Sequence, residues 1–277
     1  MVDYKNILKS IKCFLMDMDG TIYLGNNLLP GAQDWLSLLN TYHLPYYFLT
    51  NNSSHSRLEY AEKLNRLGLK VSEEQIFTSG EATAIYLKKY YPKARLFVVG
   101  TPALLEEFNR HGFILTEDDP DVTVLGFDTT LTYEKIWKLS DLIVAGKPYI
   151  ATHPDINCPT EKGFKPDIGA MIELFAASTG KRPDVIIGKP YTPIVRSLEE
   201  KVGAPVDQLC MVGDRLYTDI ALGQWGIKTA LVLSGETKAE DLEGSQFKPD
   251  IICKDIAEMT GLLRETLQSL HDQVKNN

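Results

Sequence analysis

The hydrophobic positions of this chain form short continuous apolar runs that alternate with segments of helical period. The runs are typical of parallel strands buried on both faces, and they predict strands at 13–16, 46–49, 95–99, 122–127, 184–187, 209–212, 229–233 and 250–253. Amphipathic segments between them predict helices at 32–41, 56–67, 81–90, 102–109, 192–202 and 217–223. This alternation predicts an α/β fold built on parallel sheets with helical crossovers.

The spacing of the late strands predicts two domains. Thr50 follows the second predicted strand and Lys189 follows a late one, 139 positions further on (189 − 50), which is more than one crossover requires. After two helix–strand units are subtracted, about 100 residues remain, the size of a small domain. We therefore predict a discontinuous, doubly wound, Rossmann-like core from residues 1–80 and 183–277, with a smaller α/β cap inserted at 81–182.

Composition and charge exclude several classes of protein. The 277 residues are 44% hydrophobic, as in an ordinary globular chain, and their net charge of −8 argues against a nucleic-acid-binding surface. The longest uninterrupted apolar runs have four residues, whereas a membrane span needs about 20. The N-terminal segment lacks the pattern of a signal peptide, and the four cysteines form no C-x-x-C pair. We expect a cytoplasmic protein that binds neither nucleic acid nor membrane.

Two carboxylates follow the first predicted strand. Asp17 and Asp19 stand at positions i and i+2, directly before a Gly20–Thr21 turn. Ligands of open α/β sheets bind beyond the carboxyl ends of the strands, and residues i and i+2 of an extended chain project to the same side. Two such carboxylates repel each other unless a cation or a shared proton relieves them. Taken alone, the segment is also typical of a solvated turn.

A second predicted strand ends in the same way. Asp214 follows the run at 209–212, and Asp219 lies five residues later. Mg²⁺ prefers oxygen ligands and is typically held by one or two carboxylates together with a substrate phosphate. Asp17, Asp214 and a backbone carbonyl would supply such a site. We therefore predict a Mg²⁺ site at Asp17, Asp19, Asp214 and Asp219, in which Asp219 binds either directly or through water.

Two further strand ends carry residues suited to phosphate. Thr50, Asn51 and Asn52 place a hydroxyl, two amides and backbone N–H groups after the strand at 46–49, although the same loop also serves as a helix cap. Lys189, in a Gly-Lys-Pro sequence, offers a compact cation. A second Gly-Lys-Pro contains Lys147, which lies 67 residues before Asp214 rather than 25 (214 − 147 and 214 − 189). One helix and a loop fit only the shorter interval, so we assign the phosphate-binding role to Lys189.

Together the motifs DMDGT, Thr50, Lys189 and GDRLYTD, in this order, resemble the haloacid dehalogenase superfamily of phosphotransferases. Longer segments, DGTIYLGNNLLPGA, FLTNNSS, ATHPD and GDRLYTDI, resemble its NagD-like or p-nitrophenyl-phosphatase-like branch, over nearly the whole chain. The resemblance implies a Mg²⁺-dependent phosphomonoester hydrolase of small metabolites: sugar phosphates, nucleotides, pyridoxal phosphate or p-nitrophenyl phosphate. It also implies that Asp17 is the nucleophile, forming an aspartyl-phosphate, and that Asp19 is the acid and base.

The resemblance further implies that the inserted cap closes over the site and selects the substrate. The segment at 151–157, which ends in Asn157, is expected to contact the substrate. Relatives usually read T-N-P-D and P-G-x-G-A where this chain carries His153 and Asp167. Asp167 replaces a glycine, so the resemblance does not predict the local turn there, and both departures bear on specificity. Some relatives pair through the cap, so we also expect a homodimer.

Other functions on the same fold stay open at this point. A dehalogenase would need neither Mg²⁺ nor an acid at the second aspartate, so the presence of Asp19 and Asp214 disfavours it. Phosphoryl transfer to a second substrate and phosphoprotein hydrolysis are less favoured by the resemblance. The main alternative is a catalytically idle binding or regulatory protein, which is expected to have lost at least one of the predicted catalytic residues. The sequence does not identify the physiological substrate.

Overall fold

A computed structural model describes residues 4–160 and 163–275. Strands and helices alternate along the chain and the sheets are largely parallel, which confirms the predicted α/β class. The strands are β1 Cys13–Met16, β2 Tyr23–Leu24, β3 Asn27–Leu28, β4 Tyr46–Thr50, β5 Ile76–Thr78, β6 Arg95–Val99, β7 Ile114–Leu115, β8 Val122–Leu125, β9 Tyr149–Ala151, β10 Asn157–Thr160, β11 Gly163–Pro166, β12 Val185–Ile186, β13 Leu209–Gly213, β14 Lys228–Val232 and β15 Ile251–Cys253.

The helices lie in the connections between these strands. They are α1 Tyr4–Ser10, α2 Ala32–Thr41, α3 Arg57–Arg66, α4 Ser79–Tyr90, α5 Pro102–Arg110, α6 Tyr133–Val144, α7 Ile168–Thr179, α8 Thr192–Val202, α9 Asp241–Gly244 and α10 Ile256–Lys275. Short 3₁₀ helices occupy Glu73–Gln75, Val206–Gln208 and Ile220–Trp225. No helix in the described ranges has both the length and the apolar character needed to cross a membrane.

The chain packs into two compact units. Unit 1 comprises Met1–Leu49, Ala61–Ile76 and Glu199–Asn277, and unit 2 comprises Thr50–Tyr60 and Phe77–Leu198. The cap predicted at 81–182 falls within unit 2. The domain boundaries at residues 80 and 183 remain a prediction.

Strand β1 lies inside a six-stranded sheet of order β15-β14-β13-β1-β4-β5. All four of its side chains are buried, as expected for a continuous apolar strand covered on both faces. It pairs in parallel with β13 and with β4, and Met16 lies opposite Val212. The hydrogen bond from Asp17 N to Val212 O, at 2.9 Å, extends this pairing by one residue. The carboxyl ends of β1 and β13 therefore meet at one edge of the sheet.

Unit 2 contains a second parallel sheet, of order β12-β9-β8-β6-β7. Helices α6 and α7 contribute apolar residues to its core, among them Leu139, Ile143, Ile172 and Phe175. Strands β10 and β11 form a separate antiparallel hairpin. Asp167 caps the start of α7 by accepting a hydrogen bond from Ile168 N at 2.7 Å.

Two local predictions are wrong. The strand predicted at 184–187 was assigned to the core sheet, but β12 pairs with β9 in the sheet of unit 2. Its apolar run indicated a buried strand, and such a run does not specify the partner strand. The helix predicted at 217–223 is a 3₁₀ helix at Ile220–Trp225. Before it, the Asp219 carboxylate accepts a hydrogen bond from Arg215 N at 3.2 Å, which favours a tight loop over a regular helical turn.

Candidate active site

Three of the predicted metal-binding carboxylates lie together in unit 1. Asp17 follows β1, and Asp214 and Asp219 follow β13. One oxygen from each lies within 4.8 Å of the others. Asp17 is partly buried, whereas Asp214 and Asp219 are buried. The parallel pairing of β1 with β13 explains why residues about 200 positions apart meet here.

Asp214 has a buried oxygen without a partner. Its Oδ2 accepts a hydrogen bond from Glu236 N at 2.7 Å, but its Oδ1 accepts none from the part of the chain that the structure describes. Burial and the charges of Asp17 and Asp219 raise the pKa of Asp214 well above its ordinary value. A cation bound between these carboxylates would give Oδ1 a partner and offset the repulsion. The residues therefore fit a Mg²⁺ ion.

Glycines surround these carboxylates closely. A Cβ atom at Gly20 or Gly235 would lie under 3.0 Å from Asp214 Oδ2, and one at Gly213 would lie equally close to Asp219. Gly20 also has a φ of +82°, which favours glycine. Any side chain at these positions would displace a carboxylate.

Gly235→Ala is expected to lower catalytic activity without unfolding the protein. The added methyl group pushes against Asp214, and a displacement of about 1 Å at a reacting centre can reduce turnover roughly 100-fold. The matched control is Gly244→Ala, because a Cβ there meets no atom within 4 Å. The measurement is kcat/KM for p-nitrophenyl phosphate, with thermal unfolding of both variants. Equal activity of the two variants would contradict the role assigned to Asp214.

Asp19 lies in the turn that follows Asp17 and forms an isolated bridge with Tyr23, beside the small β2–β3 hairpin. Its side chain is exposed, yet enough protein surrounds the carboxylate for desolvation to raise its pKa. The charge of Lys63 opposes this rise and the charge of Asp17 adds to it. Lys63, on α3, lies 3.9 Å from the centre of the Tyr23 ring.

Sequence reasoning assigned no role to Lys63 or to Arg215. Nothing in the sequence placed α3 beside Asp19, whereas Arg215 lay within a quoted motif. Burial works to lower the pKa of Arg215, but the charges of Asp17 and Asp214 outweigh it and raise that pKa. Arg215 Nε also lies 3.0 Å from Glu236 Oε2. Arg215 thus supplies positive charge beside the acidic group.

The residues predicted to bind phosphate lie in unit 2, where Thr50 is the last residue of β4 and Asn51 and Asn52 begin the turn that follows. Thr50 Oγ1 accepts a hydrogen bond from Asn52 N at 3.1 Å. Asn52 Oδ1 accepts from both the N–H and the hydroxyl of Ser54, at 2.8 and 2.7 Å. These contacts hold the turn in one conformation, but they do not cap a helix; the first turn of α3 is capped by Ser56, whose hydroxyl accepts a hydrogen bond from Glu59 N at 3.1 Å.

Asn51 joins this turn to Lys189. Its Oδ1 accepts a hydrogen bond from Lys189 N at 2.7 Å, and its Nδ2 donates to Lys189 O at 2.9 Å. Nδ2 also donates to Asp155 Oδ1 at 3.0 Å, a contact that sequence reasoning missed although Asp155 lies in the highlighted segment at 151–157. Asn51 and Lys189 are both buried. The structure therefore brings Asn51 and Lys189 together across 138 positions of sequence.

Two other residues from the sequence interpretation lie elsewhere in unit 2. Asn157 is exposed at the start of β10, where its backbone pairs with Pro166. Lys147 lies in the turn between α6 and β9, and its Nζ is 2.8 Å from Asp119 Oδ1. The choice of Lys189 over Lys147 as the phosphate-binding lysine remains a prediction.

The fold and the acidic group define a class of protein: a parallel α/β protein that groups carboxylates at the carboxyl ends of two adjacent strands, where such sheets bind their ligands. Residues 14–114 match the family model described as haloacid dehalogenase-like hydrolase, and residues 186–259 match a second model of such hydrolases.

Relatives and solved structures agree. An acid sugar phosphatase of Staphylococcus saprophyticus is 34% identical over 91% of this chain and 98% of its own length. The structure of 4-nitrophenylphosphatase from Thermotoga maritima has a TM-score of 0.88 at 45% identity, covering 92% of this chain and 98% of that one. NagD of E. coli K-12 has a TM-score of 0.84 at 32% identity, covering 90% and 98%. The chain belongs to the haloacid dehalogenase-like hydrolases, as a NagD-like phosphatase.

Proposed function

We propose that this protein is a Mg²⁺-dependent hydrolase of small phosphate monoesters that acts through an aspartyl-phosphate on Asp17. The observation that carries the proposal is the acidic group of Asp17, Asp214 and Asp219, with the unpartnered Oδ1 of Asp214. The names of its relatives, an acid sugar phosphatase and a 4-nitrophenylphosphatase, support small phosphate esters as the substrate class.

In the proposed reaction, Asp17 Oδ attacks phosphorus in line with the leaving oxygen. The new O–P bond forms an acyl phosphate while the bond from phosphorus to the ester oxygen breaks. Asp19 gives a proton to that oxygen, so the product leaves as an alcohol. Asp19 then takes a proton from the water that attacks the acyl phosphate, and Asp17 is released together with inorganic phosphate. The position of Asp19, two residues after Asp17, supports its assignment as the acid and base.

Asp17, Asp19, Asp214 and Asp219 would hold Mg²⁺, with Asp19 contributing through its backbone carbonyl. The ion would reduce the repulsion between an anionic nucleophile and an anionic phosphate. Thr50, Asn51, Asn52 and Lys189 are proposed to bind the phosphate oxygens, and Asn157 to contact the rest of the substrate. The hydrogen bonds between Asn51 and Lys189 support a shared role for these two residues.

The test is hydrolysis of p-nitrophenyl phosphate by the purified protein, with Mg²⁺ and with a chelator in its place. We expect turnover that requires Mg²⁺, together with a rise in melting temperature when Mg²⁺ is added to the metal-free protein. Activity no greater than that of Asp17→Asn would support the alternative, a binding or regulatory protein that does not hydrolyse phosphate esters. If the wild type does hydrolyse p-nitrophenyl phosphate, a panel of about a hundred phosphorylated metabolites identifies the preferred ester among sugar phosphates, nucleotides and pyridoxal phosphate.

Lys189→Met is expected to raise KM for p-nitrophenyl phosphate roughly 10- to 100-fold, because a hydrogen bond to a charged group contributes about 1.5–3 kcal/mol. The matched control is Lys147→Met, which alters the other Gly-Lys-Pro sequence and removes only the ion pair with Asp119. Steady-state kinetics of both variants check the prediction. If Lys147→Met raises KM more than Lys189→Met does, the assignment of the two lysines is reversed.

We also propose a homodimer formed through unit 2 and a cytoplasmic location. Tyr133, Trp137 and Val144 lie on one side of α6, and their side chains are 75%, 62% and 64% exposed. This apolar stripe supports a second copy of the chain as the partner. Light scattering tests this proposal: we expect a dimer for the wild type and a monomer for Trp137→Glu. A monomeric wild type would contradict it.

A further inference from the structure

The two departures from the relatives' motifs, His153 and Asp167, contact each other. His153 Nε2 lies 3.0 Å from Asp167 Oδ1, and both side chains are buried within unit 2. His153 follows β9, and Asp167 immediately precedes α7. A buried imidazole or a buried carboxylate is unfavourable without a partner, and each of these two residues supplies the partner that the other needs. We call these two residues the His153–Asp167 pair.

The other nitrogen of the ring faces two hydroxyl groups. His153 Nδ1 lies 3.2 Å from Thr152 Oγ1 and 3.4 Å from Ser79 Oγ. The Ser79 hydroxyl donates to the backbone carbonyl of Asn51. One hydroxyl group therefore separates the ring of His153 from the backbone of Asn51.

The backbone next to Lys189 also packs on this histidine. Gly188 N donates to Thr152 O at 2.9 Å. A Cβ at Gly188 would lie only 2.6 Å from His153 Cβ, so the two segments are in close contact. His153 therefore lies beside both predicted phosphate-binding segments: it reaches the backbone of Asn51 through the Ser79 hydroxyl, and its Cβ packs against Gly188, while Asn51 exchanges two hydrogen bonds with the backbone of Lys189.

The hydrogen bonds define the role of Nε2 and allow two roles for Nδ1. The Asp167 carboxylate accepts from Nε2–H, whereas Nδ1 accepts from the Thr152 hydroxyl when the ring is neutral and donates to Ser79 or Thr152 when the ring is charged. Burial alone would lower the pKa of His153, but the hydrogen bond and charge of Asp167, with the charge of Asp155, outweigh burial and raise that pKa.

The order Ser79, His153, Asp167 is that of a nucleophile, a base and an orienting acid, but the arrangement does not fit nucleophilic catalysis. Ser79 and His153 are fully buried, and Asp167 is nearly so. The Ser79 hydroxyl is also committed to the Asn51 carbonyl. No substrate reaches such a serine without local unfolding, so the contacts indicate a positioning role.

We propose that the His153–Asp167 pair acts as a unit that positions Asn51 and Lys189, and thereby sets the affinity of this protein for the phosphate group. The inference rests on the proposed function, in which Asn51 and Lys189 bind phosphate. It accounts for both residues by one requirement: a buried imidazole whose Nδ1 lies beside Thr152 and Ser79 needs an acceptor for Nε2–H on its far side, and Asp167 supplies it.

The test is a double-mutant cycle of His153→Asn, Asp167→Gly and the double variant, which carries the residues of the resembled motifs at both positions. Each single variant is expected to raise the KM for p-nitrophenyl phosphate and the Kd for inorganic phosphate about 10-fold or more, with a smaller change in kcat. The double variant is expected to return both values to within about threefold of wild type. Additive effects of the two changes, or unchanged KM and Kd, would overturn the proposal.

Asp128→Asn is the matched control, since it removes another buried carboxylate of unit 2, whose partners are Lys135 and Thr130. It is expected to lower thermal stability and to leave the Kd for phosphate unchanged. An increase in that Kd equal to the increase in the single variants would mean that loss of stability alone explains the effect.

A second measurement uses the wild-type protein and does not depend on the folding of a variant. Addition of inorganic phosphate and Mg²⁺ is expected to shift the ring ¹⁵N resonances of His153 but not those of His111, which pairs with Glu107 in the same unit. Absence of a shift at His153 at saturating phosphate would overturn the proposal. Neither phosphate binding nor the ¹⁵N shift requires turnover, so failure of the catalytic mechanism and failure of this inference give different results.

Discussion

Asp17→Asn is expected to reduce kcat for p-nitrophenyl phosphate by about 10⁴-fold or more, the scale on which removal of a nucleophile acts. Asparagine has nearly the shape of aspartate, so the partly buried position after β1 stays filled. What the amide lacks is the anionic oxygen that attacks phosphorus. The loss should therefore appear in kcat, while the far-ultraviolet circular dichroism and cooperative unfolding stay close to those of wild type.

The matched control for this variant is Asp34→Asn. Asp34 is an exposed aspartate in the first turn of α2, in the same unit as Asp17. Its replacement removes an equal charge and should change kcat by less than about twofold, because surface substitutions away from a site have small effects. Turnover by Asp17→Asn within tenfold of wild type would mean that another group is the nucleophile.

Asp214→Asn is expected to have opposite effects on activity and on stability. Loss of a metal-binding carboxylate should reduce kcat/KM by roughly 100-fold or more and abolish the stabilisation by Mg²⁺, which for a wild-type site reaches about 2.7 kcal/mol at 100 times its Kd. In the metal-free protein, however, burial and the charges of Asp17 and Asp219 raise the pKa of Asp214 to about 8, so folding at neutral pH requires this carboxyl group to take up a proton, whereas an amide requires none. The metal-free variant should therefore melt at a higher temperature than the metal-free wild type.

Asp250→Asn provides the control for this prediction. Asp250 Oδ2 accepts a hydrogen bond from Thr229 N at 2.8 Å and lies 3.3 Å from Thr229 Oγ1, so its carboxylate is well partnered. Its replacement should lower the melting temperature and preserve the Mg²⁺-induced shift. Differential scanning calorimetry with and without Mg²⁺ distinguishes the two cases. If metal-free Asp214→Asn melts at a lower temperature than the metal-free wild type, the Asp214 carboxyl group does not destabilise the metal-free fold, and the prediction is wrong.

The sequence predicted the main elements because continuous apolar runs indicate buried parallel strands directly. The run at 13–16 is β1, and the run at 209–212 is all but the last residue of β13. Polar residues that directly follow such strands must lie at the edge of the sheet, which is why Asp17 and Asp214 could be placed near each other. The same reasoning failed for 184–187, since an apolar run carries no information about the strand with which it pairs.

Contacts between side chains that are distant in the sequence could not be predicted from it. His153 and Asp167 were recognised as two separate departures, and only the structure shows that they touch. Lys63 lies on a helix whose position relative to Asp19 depends on tertiary packing. Trp137 is exposed on α6, which the sequence could not predict because the periodic pattern of a helix does not fix how deeply its side chains are covered.

The central claim is that hydrolysis passes through a phosphoryl group on Asp17, and Asp19→Asn provides the most direct test. p-Nitrophenolate leaves without needing a proton, whereas hydrolysis of the acyl phosphate needs the base, so the variant should accumulate the intermediate. After an acid quench, mass spectrometry should locate about one phosphoryl group per chain on the peptide that contains Asp17, removable by hydroxylamine. A phosphoryl group on any other residue, or none in a variant that still releases p-nitrophenolate in a burst, would contradict the account.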